Sequence, residues 1–174
     1  LFDVRVVPNQ GFLSDHYNPA TKTVALSESN FYETSIAGNA VAAHEVGHAI
    51  QHAEAYSFLT LRSKLVPVAN ISSSASWIFV MIGLFANMSG MLLVGIGLLA
   101  AGVLFQIVTL PVEFDASNRA MNQLVATGIL RNNEERSARK VLNAAAMTYV
   151  AATLVAVMEL ARLLLIFIGM RSDD

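Results

Sequence analysis

Hydrophobic and polar positions follow different patterns in successive parts of the chain. Residues 1–35 mix short β-prone runs such as DVRVV with turn signals, including Asn18-Pro19 between two extended segments. From Ile36 to about Leu65, small and apolar residues recur at three- and four-residue spacing, the period of a helix. The pattern therefore predicts a small strand-containing region followed by a helix.

Two long apolar stretches come next, at residues 68–88 and 90–110. Neither contains a charged residue, and each has about 20 residues, the length that a helix needs to cross a bilayer. Only a tight loop fits between them, so the pattern predicts a transmembrane hairpin. After Pro111 the chain becomes polar, with helical spacing and a break near Gly128.

A third apolar helix is predicted from about Met147 to Gly169, interrupted by Glu159 and Arg162. These two residues are three apart on one helix face, so they could pair in the membrane plane, line a polar interior or form an ion pair near the membrane boundary. We predict a mainly α membrane protein with about three transmembrane helices and one catalytic domain. Its parts are a strand region and motif helix (1–65), a hairpin (66–110), a polar helical region (111–142) and a C-terminal span (143–174).

The composition agrees with a membrane protein and restricts the chemistry. Hydrophobic residues make up 55% of the chain and charged residues 14%, which is low for a soluble domain. The net charge is -2 and basic runs are absent, so nucleic acid is not an expected partner. The chain has no cysteine, so a metal would have to be held by histidine and carboxylate side chains.

The stretch VAAHEVGHAIQHAE, residues 41–54, carries the strongest chemical signal. His44-Glu45-Val46-Gly47-His48 matches H-E-x-x-H, in which the two histidines share one helix face and can reach one zinc ion. Glu45 lies further around the helix, where it could accept a proton from zinc-bound water. Histidines of an ordinary core seldom flank a glutamate in this way, so metal binding is the better interpretation.

A catalytic zinc usually has three protein ligands, and four residues could provide the third: His52, Glu54, His16 and Glu113. On a straight helix His52 lies about 12 Å along the axis from His44, too far for one ion. Glu54 occupies the place of the third metzincin histidine, but Gln51 replaces the glycine at which that chain bends.

The other two candidates lie outside this helix. His16 belongs to the strand region, where a histidine in a turn is more often solvated. Glu113 is expected to open a polar helix just after the hairpin, which returns the chain to the side that it left, so this residue can stand beside His44 and His48. Topology therefore favours Glu113.

Three stretches, LSDHYNPATKTVALS, VAAHEVGHAIQHA and LPVEFDASNRA, resemble the "putative neutral zinc metallopeptidase" family of the YugP type. With the hairpin between the last two, the resemblance covers essentially the whole chain, and more distantly the layout is similar to HtpX-type membrane gluzincins. The resemblance implies a zincin-like arrangement in which His44, His48 and Glu113 bind Zn²⁺ and Glu45 is the catalytic base. It also implies a peptide or protein substrate.

One position departs from the gluzincin pattern. Ser117 stands where an aspartate is expected four residues after the third ligand, and Asp115 falls two residues after it. The carboxylate that would orient a ligand histidine is therefore unassigned, with Asp115 and Asn118 as candidates. The donor for a developing oxyanion is also open among Tyr149, Arg119, His52 and His16. The segment TKTVALS could pair with an extended substrate or be an ordinary structural strand.

We therefore expect a membrane-bound zinc endopeptidase. The alternatives are a zinc hydrolase of a non-peptide amide or lipid, and a membrane scaffold with a structural metal, although a structural site would have no need of Glu45. The lipid bilayer is an expected partner, and the sequence does not determine the oligomeric state.

Positive charges predict the orientation of the chain in a bacterial cell membrane. The loop ANMSG has none, whereas many lie on the side of the motif helix: Arg5, Lys22, Arg62, Lys64, Arg119, Arg131, Arg136, Arg139 and Lys140. By the positive-inside rule the active site should face the cytoplasm, with ANMSG and the C-terminal RSDD outside. Because the chain opens with Leu1 and has no signal-peptide pattern, we also expect that its natural N-terminus, with a possible further anchor, lies upstream.

Overall fold

A computed structural model describes residues 1, 3–131 and 133–172 of the chain. Within this part the chain forms three strands and five helices: β1 (Arg5–Asn9), β2 (His16–Asn18), β3 (Thr23–Ser27), α1 (Glu28–Tyr32), α2 (Ile36–Ala53), α3 (Ser57–Phe85), α4 (Ser89–Ala126) and α5 (Glu135–Ser172). The predicted mainly α fold with a small N-terminal strand region is confirmed. The predicted placement of RSDD falls partly on Asp173 and Asp174, which lie outside the described residues.

The described chain divides into two compact units. Residues 1–60 and 111–148 form the first, which contains the sheet, α1, α2 and the C-terminal part of α4. Its buried apolar core joins Ala40 of α2 to Met121 and Leu124 of α4 and to Leu142 of α5. Residues 61–110 and 149–172 form the second unit.

The sheet of the first unit has the strand order β1-β3-β2, with β1 parallel and β2 antiparallel to β3. The turn predicted at Asn18-Pro19 does separate two strands. However, β3 is the middle strand, and Thr23–Ala25 pairs with β1 on one side and β2 on the other. The prediction that TKTVALS offers an edge to a substrate is therefore wrong along these residues, because their main chain already pairs with two neighbours.

The helix that carries the histidine motif is shorter than predicted. It ends at Ala53 and not near Leu65, and a new helix begins at Ser57. Ala55 has a φ of 51°, and the Tyr56 amide donates to the Gln51 carbonyl at 2.9 Å. A left-handed residue after the last turn is a common helix ending, usually made by glycine, which the sequence lacks here.

Pro111 does not end a helix, contrary to the expectation that Glu113 would open a new one. Helix α4 continues through Pro111 as one element of 38 residues. A proline in a helix interior costs about 3 kcal/mol. The buried residues that follow it, Val112, Ala116 and Ala120, hold this part of α4 in the core of the first unit. The predicted break near Gly128 is confirmed, since α4 ends at Ala126 and Gly128 has a φ of 67°.

The second unit has the character of a membrane bundle. Within the described residues, three helices are long and apolar enough to cross a bilayer: α3, α4 and α5. A Cβ atom at Gly83 would lie 2.5 Å from the Leu92 amide nitrogen, so the glycine lets the two arms of the predicted hairpin approach closely. Large apolar side chains on the outside, such as Ile71, Trp77 and Leu165, are exposed as lipid-facing residues are. Arg162 pairs with Glu159 at 2.5 Å.

Candidate metal centre

Helix α2 holds the histidine motif against α4. Its first turn is capped by Ser35, whose Oγ accepts the Gly38 amide at 2.9 Å. Further along, Gly47 lies directly on α4, because a Cβ atom there would be 2.5 Å from the Ala116 carbonyl oxygen. A side chain at this position would keep the helices apart. The glycine inside H-E-x-x-H therefore lets His44 and His48 reach residues of α4.

The two histidines and Glu113 converge on one point. His44 Nε2 lies 3.2 Å from Glu113 Oε2, and His48 Nε2 lies 3.6 Å from the same oxygen. Each of the three residues offers one ligand atom, and these three atoms all lie within 4.8 Å of one another. The Glu113 side chain is almost fully buried, with 1% of the residue exposed. Helices α2 and α4 thus bring together residues that are 69 positions apart.

Each imidazole also has a polar partner on its other nitrogen. His44 Nδ1 lies 3.2 Å from Ser117 Oγ, and His48 Nδ1 lies 3.0 Å from Gln51 Oε1. Ser117 stands where gluzincins are expected to have an aspartate and Gln51 where metzincins have a glycine, so neither residue is predicted from the sequence to contact a histidine. Spacing could have indicated Gln51, since it is three residues after His48 on the same helix.

Glu45 is buried beside this group, with 8% of the residue exposed. Burial raises the pKa of its carboxyl group above the usual value, His48 and His44 oppose this rise, and the charges of Glu113 and Asp15 add to it. Burial lowers the pKa of His48, but its interaction with Glu113, the charge of Glu45 and the hydrogen bond to Gln51 together outweigh burial and raise that pKa. The charges of Glu45, His48 and Glu113 therefore influence one another in this buried group.

The other candidates for a third ligand lie elsewhere. His52 contacts Tyr17, and the Tyr17 hydroxyl lies 2.9 Å from His52 Nδ1. Glu54 Oε2 accepts from Arg119 at 2.6 Å, and His16 Nδ1 lies 2.8 Å from the Ser14 carbonyl oxygen. In the described part of the chain, none of these three joins the group formed by His44, His48 and Glu113.

The candidate oxyanion donors are also placed by the structure. Arg119 donates to Asp115 at 2.6 Å as well as to Glu54, so its guanidinium group is held by two carboxylates. Tyr149 belongs to the second compact unit. His52 and His16 keep the contacts given above.

The donor set suits a metal such as zinc. Two imidazole nitrogens and a carboxylate oxygen are ligands that zinc accepts, and three protein ligands are the number that leaves a coordination position open. Both Nε2 atoms face the carboxylate, while the opposite Nδ1 atoms contact polar side chains, as is usual for metal-bound histidines. These residues therefore could hold a metal ion.

Comparison with known proteins shows which family the chain belongs to. The chain is 47% identical to the "Putative membrane protease YugP" of Bacillus subtilis (strain 168). The match covers the whole of this chain and 77% of the relative. No solved structure matches the chain. The model of the family described as "Putative neutral zinc metallopeptidase" matches residues 1–168. The chain belongs to this family.

Proposed function

We propose that the protein is a membrane-bound zinc endopeptidase in which His44, His48 and Glu113 bind the metal and Glu45 is the general base. The observation that carries the proposal is the buried carboxyl group of Glu45 next to three converging donor atoms on two packed helices. A purely structural metal would need the donors but not this additional carboxylate. Family membership supports the same interpretation.

The bound zinc would supply an acidic water and a polarised substrate carbonyl. Glu45 would take a proton from the attacking water and return it to the nitrogen of the leaving amine. The raised pKa of Glu45 suits this double role, because a base that must also release its proton as an acid works best with a pKa closer to neutrality. His44, His48 and Glu113 would hold the ion and take no proton in the reaction.

Strand β2 is the best candidate for binding an extended substrate. It is an edge strand of the sheet, and it packs on α2. Its Tyr17 contacts His52 of α2, while Asp15, immediately before the strand, acts electrostatically on Glu45. A peptide paired along the outer edge of β2 would therefore run close to the proposed base.

The test is cleavage of an unfolded protein by the detergent-purified, zinc-loaded chain, with and without a chelator. Wild type should cleave, and the chelator should stop cleavage. Glu45→Gln keeps the size of the side chain but cannot accept the proton, so the rate should fall by roughly 10²–10⁴-fold while zinc remains bound. Bound zinc is measured on the same samples.

Three results would oppose the proposal. Undiminished cleavage by Glu45→Gln would remove the assigned base. If zinc-loaded wild type cleaves no protein but hydrolyses a lipid or another amide, the alternative hydrolase would be supported. If it hydrolyses neither protein, lipid nor another amide, a structural metal would be supported.

A further inference from the structure

The side chain of Gln51 is fully buried between His48 and helix α4, with none of the residue exposed. Its Nε2 donates to the Val112 carbonyl oxygen and to Asp115 Oδ2, each at 2.8 Å. Its Oε1 lies 3.0 Å from His48 Nδ1. The contacts with His48 and Val112 are buried, and the contact with Asp115 is partly buried.

The surroundings determine which way the Gln51 amide points. The two neighbours of Nε2 are a backbone carbonyl and a carboxylate, and both can only accept hydrogen bonds. An amide turned the other way would set its oxygen against two oxygen atoms. The Gln51 oxygen must therefore face His48, and an oxygen acceptor requires a hydrogen on His48 Nδ1.

A neutral imidazole with its hydrogen on Nδ1 carries its lone pair on Nε2. This is the His48 nitrogen that faces Glu113 and the proposed metal position. By contrast, Ser117 Oγ, the partner of His44 Nδ1, can either donate or accept. The structure therefore constrains the tautomer of His48 and leaves that of His44 unconstrained.

Asp115 is in turn held in place. Its Oδ2 accepts from Arg119 Nε at 2.6 Å, and Arg119 Nη1 donates to Glu54 Oε2 at 2.6 Å, just after the end of α2. A series of hydrogen bonds thus begins on α2, passes through α4 and returns to the end of α2. Its members are His48, Gln51, Asp115, Arg119 and Glu54.

We propose that Gln51, oriented by Asp115 and Val112, is a positioning residue that holds His48 in the tautomer able to bind metal through Nε2. This inference rests on the proposed function, because it takes His48 as a zinc ligand. Side chains that hydrogen-bond to metal-bound histidines typically contribute about 10- to 100-fold to metal affinity. We assign that contribution to a neutral amide at residue 51, whereas gluzincins are expected to use a carboxylate.

The first measurement is the position of the hydrogen on His48 in the zinc-free protein. Nitrogen-15 spectra of histidine-labelled wild type, which has four histidines, report whether Nδ1 or Nε2 of each ring is protonated. The pH is raised until the histidine signals no longer change, so that the rings are neutral. We expect hydrogen on Nδ1 of His48, assigned by loss of its signals in His48→Gln. Hydrogen on Nε2 would overturn the proposal without any variant of Gln51.

The second measurement is zinc affinity, by competition with a coloured chelator. Gln51→Leu keeps much of the volume but removes the acceptor, so we expect the zinc dissociation constant to rise roughly 10- to 100-fold and His48 to lose its preference for hydrogen on Nδ1. The matched control is Ser117→Ala, which removes the partner of the other histidine and should weaken zinc binding less. Thermal unfolding without zinc checks that both variants are folded.

A folded Gln51→Leu protein that binds zinc as tightly as wild type would reject the positioning role. If Gln51→Leu does not fold, Asp115→Asn provides the comparison. This variant preserves an oxygen acceptor for Gln51, so His48 should keep the wild-type tautomer. Loss of that tautomer would oppose the proposal. Failure of the peptidase assay is separate, since zinc affinity and tautomer are measured without substrate.

Discussion

Glu113 occupies the centre of the candidate metal site. Its Oε2 is the atom that both His44 Nε2 and His48 Nε2 face, and its side chain is almost fully buried. A buried carboxylate needs a polar or charged partner, and the imidazoles beside Glu113 and a bound metal ion can each provide one. The residue therefore contributes to the fold as well as to the proposed ligand set.

Replacement of the proposed ligands should remove the metal. Wild type is expected to bind about one zinc per chain, and His44→Ala or Glu113→Ala should lose it. His52→Ala is the matched control, because His52 lies on the same helix and contacts Tyr17 instead of the group. Zinc content after gel filtration is measured by mass spectrometry. Zinc retained by Glu113→Ala, or lost from His52→Ala, would contradict the ligand assignment.

The donor atoms of the site could be anticipated from the sequence, but their polar partners could not. His44 and His48 share a face because of their spacing, and the hairpin brings Glu113 back towards them. The contacts of Gln51 and Ser117 depend on how closely α2 and α4 pack, which spacing within one helix does not determine. The sequence alone therefore does not predict that Ser117, at the expected aspartate position, contacts His44.

At the scale of elements, the approach of α2 to α4 depends on Gly47. The hypothetical Cβ atom there would lie 2.5 Å from the Ala116 carbonyl oxygen and 3.1 Å from its carbonyl carbon. These neighbours are backbone atoms, so relief requires movement of a whole helix. The distance between the histidines and Glu113 would increase with it.

Gly47→Ala should therefore weaken both folding and metal binding. Overpacking typically costs about 1–3 kcal/mol, which exceeds the roughly 1 kcal/mol that alanine gains over glycine in helix propensity. Gly97→Ala in α4 is the control, because nothing lies within 4 Å of a Cβ atom there, and it should be neutral or slightly stabilising. Thermal unfolding and zinc affinity in detergent provide the comparison. Equal stability of the two variants would show that the helices tolerate separation.

The existence of the elements was easier to anticipate than their ends. Apolar runs identified the three candidate spans, but α2 stops at Ala53 without glycine or proline to indicate it. Pro111, the strongest local signal for a helix end, lies inside α4, where the buried residues after it keep the helix intact. In both cases tertiary packing outweighs local preference.

At the scale of the whole molecule, the chain is a membrane protein whose two long helices α3 and α4 are joined by a tight turn. Positive residues are absent from this turn and numerous on either side of the hairpin. If both helices cross the bilayer, the two segments of the first unit lie on the same side. We infer from the charges that this side is the cytoplasm.

Single cysteines test this orientation in intact cells, because the chain has none of its own. Met88 in the turn and Asn133 before α5 are both exposed, and each can be replaced by cysteine. An impermeant thiol reagent should label Met88→Cys and not Asn133→Cys, and both should react once the membrane is permeabilised. The reverse pattern would place the candidate active site outside the cell.

The distance of 69 residues between His44 and Glu113 has a consequence for biosynthesis. The ribosome makes His44, Glu45 and His48 first, then α3 and the first part of α4, and only afterwards Glu113. A nascent chain thus carries two of the three donors while α3 and the first part of α4 are still being made. A product that terminates before Glu113 cannot complete the group, so assembly of the candidate site requires synthesis of the hairpin that precedes it.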